Sequence, residues 1–160
     1  KLGSKKIALL STIGNLSVGQ LRFNGYKKAL EENHTTVNHN LLIIENDIEL
    51  FDSKLANLFQ KEKVDAVFAL DEHASTMAMK LAIKKGIKIP EELNIIGFAD
   101  GVWSRRLTPS LSTVSQHAPE IGAKAAELLI NKLTTKDEFY QHQTVVIKTE
   151  LRQRESTRKL

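Results

Sequence analysis

With 160 residues, 41% of them hydrophobic and 26% charged, the chain has the make-up of a folded globular protein and is long enough to bury roughly 70% of the surface its unfolded form exposes. The absence of cysteine excludes a disulfide framework, a thiolate nucleophile and a cysteine zinc site. Lys and Arg exceed Asp and Glu, 23 against 19, but the excess is scattered over Lys5-Lys6, Lys27-Lys28, Lys84-Lys85 and the tail from Arg152, as solvated faces are rather than a nucleic-acid patch.

In chain order, the apolar run at 7–10 predicts a strand over 5–11, buried on both faces as in a parallel sheet. After a loop, Val18, Leu21, Tyr26, Ala29 and Leu30 recur near helical spacing and predict a helix over 18–32. A second strand is expected at 41–45. Asn46 with Glu49 resembles a capping box opening a helix that carries Phe51, Leu55, Leu58 and Phe59 on one face. Residues 65–70 form a third strand, and Asp71 is placed to cap a helix with the stripe Ala74, Met77, Ala78, Leu81 and Ala82, ended by Gly86 and Pro90. Strands follow at 93–98 and, past a loop, at 111–116. Pro119 opens a helix carrying Ile121, Ala125, Leu128, Leu129 and Leu133, and 144–151 reads as a last strand. Alternation of strand and helix with short links gives an α/β fold with a doubly wound, mostly parallel sheet.

The apolar runs fall far short of the ~20 residues that span a bilayer, so no membrane helix is expected. The basic opening 1–6 lacks the apolar core and cleavage site of an export signal. A reducing, cytoplasmic location is the expectation.

In open sheets of this kind ligands sit beyond the carboxyl ends of the strands. Those positions are 11–17, 45–47, 70–73, 99–103 and 115–117. Asp71, Glu72, His73, Asp100 and His117 fall among them, but their spacing matches no zinc or hydrolase motif, and no glycine-rich phosphate loop or nucleophile elbow occurs. Neither metal nor cofactor is expected, and helix capping by Asp71 with a solvated His73 is the simpler reading. Arg22 lies early in a helix whose N-terminus faces the ligand side. Its guanidinium can donate there to hydroxyls, carboxylates or phosphates, or pair with a surface carboxylate, and the residues alone leave both open.

Six pieces in order carry a resemblance. They are Lys-Lys-Ile-Ala-Leu-Leu-Ser from Lys5, Arg-x-x-Gly-Tyr-x-x-Ala-Leu from Arg22, Asp-Ala-Val-Phe-Ala-Leu-Asp-Glu from Asp65, the run from Gly86 to Phe98 through Pro-Glu-Glu-Leu-Asn-Ile-Ile-Gly, Thr-Pro-Ser-Leu-Ser-Thr-Val-Ser-Gln from Thr108 with the helix after it, and Glu-Ser-Thr from Glu155. Together they resemble the effector-binding part of the lactose-repressor/galactose-repressor family of bacterial transcription regulators. The resemblance implies one lobe of a two-lobed fold similar to periplasmic sugar-binding proteins. Residues 1–113 then make the C-terminal lobe, 114–135 cross to the other lobe, and 136–160 return. It further implies a piece of a longer regulator that binds operator DNA through a separate headpiece, dimerises, performs no catalysis, and answers to a small polar effector such as a sugar.

By the same resemblance Arg22 matches the family's effector-contacting arginine. The usual Asn-Asp after the third strand is here Leu70-Asp71, and the usual Asp after Gly-Phe is here Ala99, with Asp100 one place later. Asp71 and Asp100 remain candidate acceptors for a polyol, Gln116 and Glu45 fall at the cleft edge, and Trp103 is placed either to stack on a ring or at an interface. The expected homodimer surface joins the helix after Asn46, the next helix and the loop 102–107, anchored by Met77, Met79, Trp103 and Leu107, with a place in the core as the alternative for Met77. A solute-binding protein of transport is the rival reading, since it shares the fold.

Overall fold

The structure is a computed structural model that describes residues 3–98, 101–135 and 143–159. Six strands form one sheet in the order β2-β1-β3-β4-β5-β6: β1 (Ile7–Ser11), β2 (Leu42–Ile44), β3 (Ala66–Ala69), β4 (Asn94–Gly97), β5 (Ser112–Ser115) and β6 (Glu150–Arg152). The first five are parallel and β6 runs antiparallel to β5, with Val114 opposite Leu151. Side chains alternate across the sheet. Ala8 and Leu10 of β1 therefore enter the larger core, under α2 (Ile48–Lys61) and α3 (Glu72–Lys84), while Leu9 and the flanking Ile7 face α1 (Ser17–Glu32). Phe51 and Leu55 of α2 and Ala74, Ala78 and Ala82 of α3 are fully buried against the first face. The small alanines let α3 lie close on the sheet. Gly97 takes this further: a Cβ there would stand 2.1 Å from Ser75 Oγ.

The starts of α2 and α3 follow capping chemistry. Asp71 accepts from the Ala74 N–H at 2.9 Å, as expected of it. At α2 the expected Asn46 box is displaced by one residue. Asp47 is the cap, accepting from the Leu50 N–H at 2.9 Å, because Glu45 engages the Asp47 N–H and turns the chain one position later. A short α4 (Val102–Arg106) occupies part of a stretch that reads as loop. The expected strand over 144–151 is regular only from Glu150. Val145 and Val146 stand exposed, and the sheet's ladder begins where β6 meets β5.

The C-terminal residues tie the sheet together. Ser156 Oγ donates to Ile95 O at 2.6 Å and accepts from the Ser112 N–H at 2.8 Å, and Arg154 Nη1 donates to Leu111 O at 2.6 Å. Glu155 accepts from both the N–H and the hydroxyl of Ser110, which hold its carboxyl below the usual range. This segment fixes β5 beside β4, and so sets the position of Gln116 just past the end of β5.

The last helix, α5 (Ala118–Thr134), buries no residue, and Ile121, Leu129, Ile130 and Leu133 are all exposed. His117 before it adopts a left-handed backbone, φ 52°, and its Nε2 lies 3.8 Å from Glu150 on the returning strand. No helix among the described residues is long and apolar enough to cross a membrane.

Candidate functional site

The carboxyl ends of β1, β3, β4 and β5 converge beneath the first turns of α1. One glycine in the loop after β1 and one in the first turn of α1 allow this approach. A Cβ on Gly19 would stand 2.1 Å from Ile13 O, and one on Gly14 would stand 2.1 Å from Ile44 Cγ2, so neither position accommodates a side chain without displacement. With α1 seated that low, Arg22, one turn further on, reaches over the strand ends.

Its guanidinium makes three contacts with three different strand ends. Nη1 donates to the Leu70 carbonyl after β3 at 2.5 Å, Nη2 donates to Gln116 Oε1 after β5 at 2.8 Å, and the guanidinium carbon lies 4.2 Å from the ring centroid of Phe98 after β4. The cation on the ring face adds an attraction of about 0.5–2 kcal/mol according to its desolvation. Burial pushes the Arg22 guanidinium below its ordinary pKa, and the nearby Asp71 carboxylate acts against that shift. The two hydrogen bonds use two of the five N–H donors, so the group keeps donors for a ligand with oxygen acceptors.

Asp71 is differently employed. Its Oδ2 accepts from the Thr12 N–H at 2.7 Å, and its Oδ1 accepts from Thr12 Oγ1 at 3.0 Å and from the Ala74 N–H at 2.9 Å. The buried carboxylate thus joins the end of β1 to the start of α3, with both oxygens engaged. Asp100 and its neighbour Ala99 lie outside the described residues. Glu45 pairs with Lys54 at 2.7 Å and caps its own loop, and Lys54 and the Asp47 N–H hold its carboxyl below the usual range.

Sequence reasoning placed Arg22 and Gln116 at the cleft, and the structure joins them directly. It missed Phe98 and Thr12. Phe98 follows Gly97 at the end of an apolar run and reads as one more core residue, yet it floors the guanidinium and leans on Phe68 at 5.8 Å. The two histidines expected near the strand ends, His73 and His117, do not converge. His73 lies against Phe51 and faces Asp52 at 3.7 Å, whereas His117 faces Glu150.

Of the residues expected at a dimer surface, Trp103 is 69% exposed on α4, and Met77 and Leu107 are half-buried at the edge of the core. Met79 is a correction: it is 1% exposed, inside the main core. Residues two apart on a helix point about 200° away from each other, so Met77 and Met79 cannot both anchor one exposed face.

A mostly parallel sheet with polar side chains gathered at its strand ends is the α/β class of fold in which that edge is the usual place for a ligand. Residues 1–157 match the periplasmic binding protein-like domain, and the chain belongs to that family. Its relatives are regulators of the lactose-repressor/galactose-repressor type. It is 32% identical over 149 residues to the HTH-type transcriptional regulator MalR of Clostridium butyricum, covering 92% of this chain and 44% of that protein. It is 31% identical over 162 residues to the HTH-type transcriptional repressor PurR of Haemophilus influenzae strain PittEE, covering 99% and 48%. The chain spans about half the length of the curated relatives it matches. Among solved structures, the transcription regulator CcpA of Lactococcus lactis superposes with a TM-score of 0.84 at 25% identity, covering 98% of this chain and 57% of that one. The regulator CelR in complex with cellobiose has the same fold, with a TM-score of 0.84 at 24% identity over 96% of this chain and 47% of that one.

Proposed function

We propose that this chain is the effector-sensing C-terminal part of a DNA-binding transcriptional regulator and that Arg22, with Gln116 and Phe98, holds a small polar effector at the strand ends. The observation that carries this reading is the convergence of three strand ends on one guanidinium that retains donors. Such a cation over an aromatic floor suits a ligand with several oxygens, a sugar or sugar derivative. Asp71 acts in it by holding Thr12 and the start of α3, and Asp100 remains a candidate acceptor.

In this reading residues 1–113 are the lobe, 114–135 cross to a second lobe and 136–160 return. The bare apolar face of α5 supports the crossing, since an amphipathic helix with no buried residue is suited to covering another body. The molecule acts as a homodimer through the α2, α3 and α4 side, with Trp103, Leu107 and Met77 as anchors, and reaches operator DNA only through a separate headpiece. Catalysis plays no part. The relatives' names favour a regulator over a transport protein.

The test is calorimetric titration of the longer protein with cellobiose, ribose and related small sugars, beside operator binding with and without each. Saturable binding of one of them that changes operator affinity is expected. Binding of a solute by a protein that lacks any operator affinity would replace the regulator by the transport reading.

A further inference from the structure

Of the carboxylates at the strand-end edge among the described residues, Asp71, Glu45, Asp47 and Glu150 are employed by the protein itself. Asp71 accepts from Thr12 with both oxygens and from the Ala74 N–H with one. Glu45 is held by Lys54 at 2.7 Å and by the Asp47 N–H, and Asp47 caps α2. Glu150, opposite Ser115 at the end of β5, accepts from Arg152 Nε at 3.2 Å. Glu72 stands beside α4, its Oε1 3.1 Å from where a Cβ on Gly101 would be. Asp71 is the carboxylate whose charge acts on Arg22. Leu70 adds a buried apolar side chain and a carbonyl that Arg22 already occupies.

Donors are what the site has left. Arg22 uses two of its five N–H groups, and Gln116, whose oxygen accepts from Arg22 Nη2, keeps the two N–H donors of its amide for another partner. Phe98 closes one face of the guanidinium at 4.2 Å, and the group is half-buried, so its charge is less well hydrated than that of an exposed arginine. These features select between two kinds of oxygen-rich ligand. A hydroxyl brings an O–H donor with every acceptor oxygen and needs an acceptor in return, whereas a carboxylate or an ionised phosphate group accepts only. An ionised acceptor opposite a guanidinium also adds the attraction of opposite charges and a bidentate fit.

We infer that the effector meets Arg22 and the Gln116 amide through an anionic group, so that the site takes a small sugar acid or sugar phosphate in preference to the neutral sugar of the same skeleton. The inference rests on the effector reading above and narrows it. Asp71 does not reverse the preference, because its charge is spread into three hydrogen bonds with Thr12 and the first turn of α3. The hydroxyls of the sugar part are left to other side chains, Asp100 among the candidates.

The test titrates the longer protein with glucose and ribose, with gluconate and ribonate, with the phosphate esters of both sugars, and with acetate and inorganic phosphate as the smallest anions. Calorimetry and the Arg22 Nε–Hε signal are the readouts. An acid or a phosphate ester is expected to bind about ten-fold or more tightly than its neutral sugar and to shift the Arg22 signal, and acetate or inorganic phosphate to shift it at millimolar concentration. The carboxylate and phosphate arms decide between the two sources of charge. Arg22→Gln is expected to remove the preference, and Arg22→Lys, which keeps the charge, to retain it at lower affinity, with thermal melting to show that both fold. A neutral sugar bound as tightly as its acid and its phosphate, with the Arg22 signal shifted, would overturn the inference and leave the effector reading standing. An anion preference that survives Arg22→Gln would also overturn it, by placing the anion elsewhere. So would an Arg22 signal that no anion moves, and if no neutral sugar moves it either, the result counts against the effector reading as well.

Discussion

Arg22→Ala is expected to weaken effector binding by the longer protein about ten- to a hundred-fold while leaving it folded. The magnitude is that of one charge-assisted hydrogen-bonding partner, roughly 1.5–3 kcal/mol. The fold should lose much less, about 1 kcal/mol, because Leu70 O and Gln116 Oε1, the acceptors left behind, lie in a partly open site where water can replace the guanidinium. Arg22→Lys is expected to fall nearly as far in affinity, since an ammonium cannot bridge two strand ends and lie flat on Phe98 at once. Calorimetry beside thermal melting separates the outcomes. Unchanged affinity would make Arg22 a clamp on the strand ends and nothing more.

The second large effect is on stability. Asp71→Ala is expected to cost about 2–4 kcal/mol in denaturant unfolding, because it removes the cap of α3 and strands the Thr12 N–H in a partly buried loop. Asp71→Asn keeps one carbonyl oxygen for the cap and is expected to cost about half as much. The comparison decides what the carboxylate is for. If both variants unfold at the wild-type midpoint while effector affinity falls, Asp71 contacts the ligand and its bonds to Thr12 are incidental.

These expectations show where a sequence carries structural information and where it stops. The parallel strands were legible because burial on both faces leaves unbroken apolar runs such as 7–10 and 93–98. Five-residue α4 was not, since one turn gives no period to read. The displaced cap at Asp47 depended on which N–H and ammonium group the Glu45 carboxylate could reach, a tertiary detail. At the site, Arg22 and Gln116 were placed by strand-end position and resemblance. The capping role of Asp71 was legible in the sequence, but its bonds to Thr12, one of which engages its other oxygen, were not, because spacing gives a residue's location and not the partners of each atom. Phe98 was hidden for a related reason: an aromatic at the end of a buried strand looks the same whether its ring faces core or cation.

The measurement closest to the central claim follows the Arg22 side chain itself. In a 15N-labelled sample of the longer protein the Arg22 Nε–Hε signal is identified by its loss in Arg22→Lys, and those of Arg105 and Arg106 by the same substitution at each. Titration of the longer protein with the sugar that calorimetry finds should move the Arg22 signal along the same binding curve, while those of Arg105 and Arg106 on α4 stay in place. A sugar that saturates the protein with the Arg22 signal unmoved would contradict the account, and the effector would then have to be sought away from these strand ends.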